Sequence, residues 1–253
     1  MITWRPERLA PYVEKMVWIG NGSAEPFIVY PDIHHVMGIQ NIGHMTIVND
    51  GQQQLLDSAG LTGIHHNQKL FQASASLSSV LIYFKPAALY RWSLCSPREI
   101  AARSVSLIDL GKPVSAWNRV LDPRLAANPR EWLVVIEELL WRMFADTETD
   151  RWAVWAIDQI QSTRGIIRIG QLAEEAVLSR RQFERRFIER IGVSAKSLAQ
   201  IVKFQHALQT LKADNRPSAL THLAHEANYY DQAHFIREFR KKSGVTPGQL
   251  RDF

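Results

Sequence analysis

The sequence predicts an α+β chain. A β-rich sandwich or barrel-like N-terminal domain at about residues 1–150 is followed by an all-α domain at about 151–253 with two helix-turn-helix motifs. Three observations predict it. Short apolar runs at near-regular spacing fill the stretch from Phe27 to Phe84, the pattern of an antiparallel sandwich or small barrel. A pattern at Leu172–Gly192 returns at Leu223–Gly244, so one supersecondary unit is used twice. Charge divides unequally: residues 151–253 hold 17 Lys and Arg against 10 Asp and Glu, whereas residues 1–150 hold 13 against 15. A basic half joined to a mildly acidic half points to a polyanion partner for one of them only.

In chain order, the β-rich runs are FIVY at 27–30, HVMGIQ at 35–40, HMTIV at 44–48, QQQLL at 52–56 and SSVLIYF at 78–84. Asn49-Asp50-Gly51 between two of them is a hairpin signal. Pro86 and Ala87 then open a helical stretch, and Ser96-Pro97-Arg98-Glu99 is a capping box with proline at the first helical position. Asn128-Pro129-Arg130-Glu131 repeats that device and starts a helix over about 129–145. Leu133, Ile136, Leu140 and Met143 on it form one apolar seam at a 3, 4, 3 spacing, which predicts pairing with the same helix of a second copy in a homodimer. The acidic run Asp146–Asp150 ends this helix and begins a linker.

The helical half opens with Trp152, Trp155, Ile157 and Ile160, which give its first helix its apolar contacts. In the repeat, Leu172 and Leu223, Ala173 and Ala224, and Ala176 and Ala227 match at an offset of 51, whereas Phe183 and Phe235, Phe187 and Phe239, and Gly192 and Gly244 match at 52. The extra residue therefore falls in the turn between two short helices. Ser179 and Gln182 form a capping box for the second helix of the first copy, and Gly192 supplies a left-handed stop. On a wheel of about 100° per residue, Phe183, Phe187 and Ile191 share the inward side while Arg181 and Arg185 point away. In the second copy Phe235 and Phe239 are inward, and Ala233, Arg237 and Arg240 outward. Between the motifs Ser194 caps a helix to about Lys212, with Ile201, Phe204, Leu208 and Leu211 buried; about 18 residues make a strut of roughly 27 Å. Asp214-Asn215-Arg216-Pro217 breaks it, and Ser218 begins the second motif.

The segments LAEEA, SRRQFERRF, IGVSAKSL, the second LAHEA and DQAHFIREFRKKSGVTPGQLR, in this order and spacing, resemble the paired DNA-binding domain of the AraC/XylS family of transcription regulators. The resemblance covers the last hundred residues. It implies a sequence-specific DNA-binding regulator and activator, with double-stranded DNA and RNA polymerase as partners. Base-reading positions pass by resemblance to Arg181, Glu184 and Arg185 in the first copy, and to Gln232, Ala233 and Arg237, with His234 beside them, in the second. Arginine suits guanine because its fork can donate to O6 and N7, glutamate can accept from cytosine N4, and alanine offers only a surface to a thymine methyl. Arg180, Arg186 and Arg190 lie nearer the inward side, which suits phosphate contacts or local ion pairs. The turn glycine usual in such motifs is Val177 in the first copy and Asn228 in the second; a positive φ fits Asn228 and not Val177, which predicts a first turn of different geometry. In this family a β-rich domain ahead of the motifs often senses a small molecule or mediates dimerisation. The order of strands, then helices, resembles that plan, and RPERLAPYV, YPD at 30–32 and FKP at 84–86 resemble a domain found ahead of such DNA-binding pairs.

The alternative is a cupin-type metal-dependent enzyme with a helical appendage. His34, His35, His44, His65 and His66 lie in the β-rich stretch, but adjacent histidines on a strand point to opposite faces, and no close HxH followed by glutamate appears. No nucleotide-binding glycine loop or nucleophile elbow occurs, so no catalytic residue, metal or cofactor is assigned. Trp18, Tyr30, Tyr83, Phe84 and Trp92 are candidates for an apolar effector pocket, the bland reading being core. Cys95 is the only cysteine, which excludes a disulfide framework and favours the cytoplasm; no apolar run is long enough for a membrane span, and the N-terminus does not read as a signal peptide.

Overall fold

The computed structural model describes residues 1–20, 25–49, 52–91, 95–111, 117–213, 229 and 231–251. Ten strands form two antiparallel sheets among these residues. The larger sheet has the order β1 (Ile2–Trp4), β2 (Val13–Gly20), β9 (Ser78–Phe84), β4 (His35–Ile42), β7 (Ala59–Thr62), β10 (Ser104–Ser106). The smaller has the order β3 (Phe27–Val29), β8 (Lys69–Ala73), β5 (Met45–Asn49), β6 (Gln52–Leu55). The five predicted runs are all strands. Asn49 pairs with Gln52, so the hairpin forms where Asn49-Asp50-Gly51 predicts it; Asp50 and Gly51 themselves lie outside the described residues.

Alternation along the central strands assigns each face of the larger sheet its own partner. Met37 and Ile39 of β4 and Val80, Ile82 and Phe84 of β9 are fully buried on the side covered by the helix α2 (Pro129–Phe144). Val36, Gly38 and Gln40 of β4, with Ser79, Leu81 and Tyr83 of β9, face the other way, toward the smaller sheet. Side chains do not fill that space. A cavity of about 330 Å³ remains between the sheets.

Helix α2 begins where Asn128 predicts, its side chain accepting from the Glu131 amide. Its seam faces the sheet of its own chain, which corrects the expected pairing through it. Leu133, Ile136 and Leu140 are fully buried in one cluster with Met16, Met37, Ile39 and Phe84 of the same chain, and Met143 packs against that cluster. The seam is spent on covering the sheet and leaves no apolar stripe for a second copy. Trp132 is equally buried, its indole N–H donating to the Val120 carbonyl at 2.7 Å.

Helix α1 (Ala88–Arg91) begins directly after Pro86-Ala87, as expected, and a further expectation is corrected: Ser96-Pro97-Arg98-Glu99 closes a turn rather than a helix. Half of its capping box is present, the Ser96 amide donating to Glu99, but Ala102 at φ 57° and its bond to the Ile64 carbonyl carry the chain away to β10. The acidic run is more than a linker: Asp150 caps α3 (Arg151–Ser162), accepting from the Ala153 amide at 3.0 Å.

The helices α4 (Ile169–Glu175), α5 (Arg180–Ile191) and α6 (Ala195–Ala213) follow, then α7 (Gln232–Ser243) and α8 (Pro247–Arg251). Phe183, Phe187 and Ile191 of α5 pack with Leu172, Ala173 and the first half of α6, whereas Phe235 and Phe239 of α7 pack with Phe204, Leu208 and Leu211 in its second half. One strut thus serves both motifs, as the apolar spacing along it predicts. The barrel half joins these cores: Ile33, Ile64 and Ala87 belong to the first, and the Tyr30 ring lies 6.2 Å from Phe204 in the second. The segment from Asp214 to Asn228, with Ser218 and the second LAHEA, lies outside the described residues.

Candidate nucleic-acid interface and ligand cavity

The first motif is α4, a turn, and α5. The capping box of Ser179 and Gln182 is complete, and the helix stops at Gly192 with φ 89°. A side chain at Gly192 would meet more than strained backbone, since a Cβ there would lie 2.4 Å from the Pro97 carbonyl oxygen. Close approach of the 95–101 turn and the left-handed stop both require glycine.

The turn itself corrects the expectation for Val177, which has φ 53° and is 91% exposed. The Val177 amide donates to Glu174 and the Leu178 amide to Ala173, both at 2.9 Å, and this closure sets the approach of α5 to α4. The motif imposes the left-handed residue whatever side chain stands there, so valine holds a strained conformation with no burial to offset it. Val177→Gly is expected to raise stability by about 1 kcal/mol in a urea titration, the relief exceeding glycine's entropy cost.

Along α5, Arg181 and Arg185 are exposed on the face opposite Phe183 and Phe187, where the wheel puts them. Arg185 has Glu189 near, at 3.9 Å. Glu184 is half-buried and accepts from the Ala195 amide at 3.3 Å, so it is engaged at the start of α6. The arginines nearer the inward side make local contacts. Arg190 pairs with Asp150 at 2.5 Å, both groups largely buried, and its guanidinium also lies 4.8 Å from the Tyr90 ring centre. Arg186 stacks on Trp152 at 4.4 Å, and Arg180 is exposed.

In α7, Asp231 caps the helix by accepting from the His234 amide at 2.6 Å. Gln232, Ala233, Arg237 and Arg240 are exposed, whereas the His234 ring meets Tyr229 edge-on at 5.5 Å and is half-buried. Asn228 lies outside the described residues, so its turn is not compared with that of Val177. The C-terminal end of α7 rests on the barrel half: the Gln68 amide donates to the Lys242 carbonyl at 2.8 Å, and Lys242 is 5% exposed. Both outward-facing helices are therefore anchored at their C-terminal ends by loops of the β-rich half. Nothing in local periodicity signals this, because the contacts join residues about a hundred or more positions apart.

The cavity between the sheets has a wall from the helical half. Gln205, Leu208 and Gln209 of α6 close it, facing Phe27 and Phe71 of the smaller sheet and the inward residues of β4 and β9. Of the aromatic candidates, Tyr30 and Tyr83 line it. Phe84 is core, Trp18 packs against the α2 cluster, and Trp92 lies outside the described residues. Asp32, which periodicity does not single out, also lines it. Its carboxylate accepts from the His34 amide at 3.0 Å, pairs with the His34 ring, and receives a bond from the Gln205 side chain. Burial alone would raise this carboxyl, but those bonds hold it below its ordinary range, so it is an anion at neutral pH.

The histidines are dispersed, although neither adjacent pair lies on one strand: β4 begins at His35, and His65 and His66 fall between β7 and β8. His34 faces Asp32, whereas His35 is fully buried beside the end of α5, and burial pushes its imidazole down to about 4. His65 lines the cavity with Nδ1 2.6 Å from the Asn67 carbonyl, and burial likewise pushes it down to about 4. His44 is exposed. Among the described residues, no three His, Cys, Asp or Glu side chains stand where they could share a metal ion. Nor is any described helix long and apolar enough to cross a membrane.

Residues 172–252 match the family model of a helix-turn-helix domain. No curated protein sequence matches the chain significantly. Among solved structures, the chain is similar to the C-terminal domain of AraT, a response regulator from Geobacillus stearothermophilus, at 23% identity over 41% of this chain and 85% of that one, with a TM-score of 0.37. It is also similar to a single-substitution variant of apo ToxT from Vibrio cholerae, at 12% identity over 94% of this chain and 96% of that one, with a TM-score of 0.49. Wild-type ToxT of the same species with an unsaturated fatty acid bound matches at 13% identity over 93% and 94%, with a TM-score of 0.47.

Proposed function

We propose that the chain is a sequence-specific transcription regulator of the AraC/XylS type, because residues 172–252 match the family model of a helix-turn-helix domain. In this reading it reads DNA with α5 and α7 and responds to a small molecule held between its sheets. Residues 1–150 are the regulatory unit and residues 151–253 the DNA-binding unit. Arg181 and Arg185 read bases in one segment of major groove, and Gln232, Ala233 and Arg237 read the other. Glu184 and His234, already engaged within the chain, position the helices rather than read bases. The observation that carries the reading is the pairing of two outward, arginine-bearing helices on one strut, α6.

Ligand control follows from where the cavity stands. Its wall includes α6, and Gln205 bonds directly to Asp32, so an occupant touches the element that sets the spacing of the two reading helices. RNA polymerase is the partner that such a regulator recruits, and the cytoplasm is where it works. The chain is on this account a binding protein and not an enzyme. A homodimer, if formed, uses a surface other than the α2 seam.

The test is salt dependence. Residues 151–253 carry 17 basic against 10 acidic residues, and each phosphate neutralised adds about −0.9 to the slope of log K against log salt. Fluorescence anisotropy of the full chain on a selected site is expected to give a slope of about −4 or steeper, flattened by about one unit in Arg180→Ala, the exposed arginine suited to a phosphate contact. A slope near zero would sink the reading.

A further inference from the structure

We infer that the cavity takes an apolar amine, whose ammonium group meets Asp32 and whose apolar body lies between the sheets against Phe27, Phe71 and Leu81. This rests on the ligand-sensing reading above and specifies the charge of the ligand.

Three features of the wall carry it. The first is charge. Asp32 lines the cavity with 34% of its side-chain surface uncovered, while no lysine or arginine belongs to the wall among the described residues. Lys15 lies over the Tyr83 ring, 4.6 Å from its centre, but is not among the lining residues. His34 of the wall already pairs with that carboxylate, so an ammonium joins His34 and Gln205 at an anion that stands in place, whereas a carboxylate entering here would lose its water beside that anion with no wall lysine or arginine to receive it.

The second feature is the kind of polar atom left uncommitted. Gln40 is 6% exposed and gives its amide N–H to the Asp57 carbonyl at 2.8 Å, which leaves its Oε1 buried without a partner among the described residues. Ser79 is fully buried, and its Oγ is also unpartnered there. Gln40 Oε1 can only accept, and a serine hydroxyl can accept as well as donate, so the wall favours a ligand that brings N–H or O–H groups. The third feature is Tyr30 and Tyr83 in the same wall, because aromatic faces attract cations.

The same geometry couples binding to the strut. Gln205 of α6 already donates to Asp32, so an ammonium at that carboxylate competes with the link between the β-rich half and α6. An amine is thus placed to loosen the strut, which a ligand lodged among the apolar side chains alone would not do.

Three probes with one skeleton separate the alternatives: 4-phenylbutylamine, 4-phenylbutan-1-ol and 4-phenylbutanoate, each titrated calorimetrically into the full chain. The amine is expected to bind about tenfold or more tighter than the alcohol, and the carboxylate more weakly than the alcohol. Asp32→Asn should erase the advantage of the amine over the alcohol while the alcohol still binds, which also shows that the variant keeps its cavity. Tightest binding by the carboxylate, or an amine preference that survives Asp32→Asn, overturns the inference. Equal binding of all three overturns it too but leaves ligand sensing standing, and no binding by any of them counts against both.

Discussion

Replacing Ile136 and Leu140 together by glutamate will unfold the N-terminal half of the chain rather than split an oligomer. Both side chains are fully buried against Met37, Ile39 and Phe84, on the face of the larger sheet that α2 covers. Truncating such a residue costs about 2–5 kcal/mol, and an uncompensated buried charge adds several more. Two of them approach the whole stability of an ordinary domain, about 5–15 kcal/mol. Circular dichroism should show loss of cooperative melting at every protein concentration. A variant that kept its native melt and merely halved its mass would make the seam an interface after all.

The second large effect is expected at Asp150, which is 7% exposed and does two things at once. It caps α3 through the Ala153 amide, and it neutralises Arg190, whose side chain is 15% exposed. Asp150→Ala removes the cap, about 1 kcal/mol, and strands a mostly buried guanidinium, so the loss should reach about 3–5 kcal/mol in a urea titration. Asp150→Asn, which can keep the cap, should lose less, and the double change Asp150→Ala with Arg190→Ala should lose less than the sum of the two single changes. Burial alone would raise the Asp150 carboxyl, but the Ala153 amide and Arg190 hold it below its ordinary value of 3.8. Its contribution is therefore complete above about pH 4 and disappears as pH falls through the lowered folded value. Acid unfolding at unchanged pH in the alanine variant would show that the pair contributes nothing.

The parts legible in the sequence are those whose physics is local. Wheel positions alone place Arg181, Arg185 and Arg237 outward and Phe183, Phe187, Phe235 and Phe239 inward, and the caps at Asn128 and Ser179 mark true helix starts. Strand β2 is harder to see. Met16 and Val17 are adjacent and both buried, because the strand lies inside a sheet covered on both faces, and alternation is lost there. Short β7 and β10, with Gly60 and two serines, carry little apolar signal. Val177 shows the opposite failure: valine's local preference points away from a positive φ, and the closure of the motif overrides it. The cavity is half legible. Tyr30 and Tyr83 belong to apolar runs that the sequence displays, but Asp32 joins them only once Gln205, more than 170 residues away, is folded beside it.

The two reading helices must reach separate segments of DNA for the account to hold. Helix α6 has 19 residues, about 28 Å, while successive major-groove faces lie about 34 Å apart, so tilt or DNA bending has to supply the difference. The most direct measurement is selection of preferred sites from random duplex DNA by the full chain, by Arg185→Ala and by Arg237→Ala, with position-by-position comparison. The account predicts that each change relaxes preference by about 1–3 kcal/mol, at base pairs about one helical turn apart. Preference should already be weaker in the segment read beside Ala233, which offers no hydrogen bond. Loss of preference at the same base pairs in both variants, or an unchanged profile for Arg237→Ala, would contradict it.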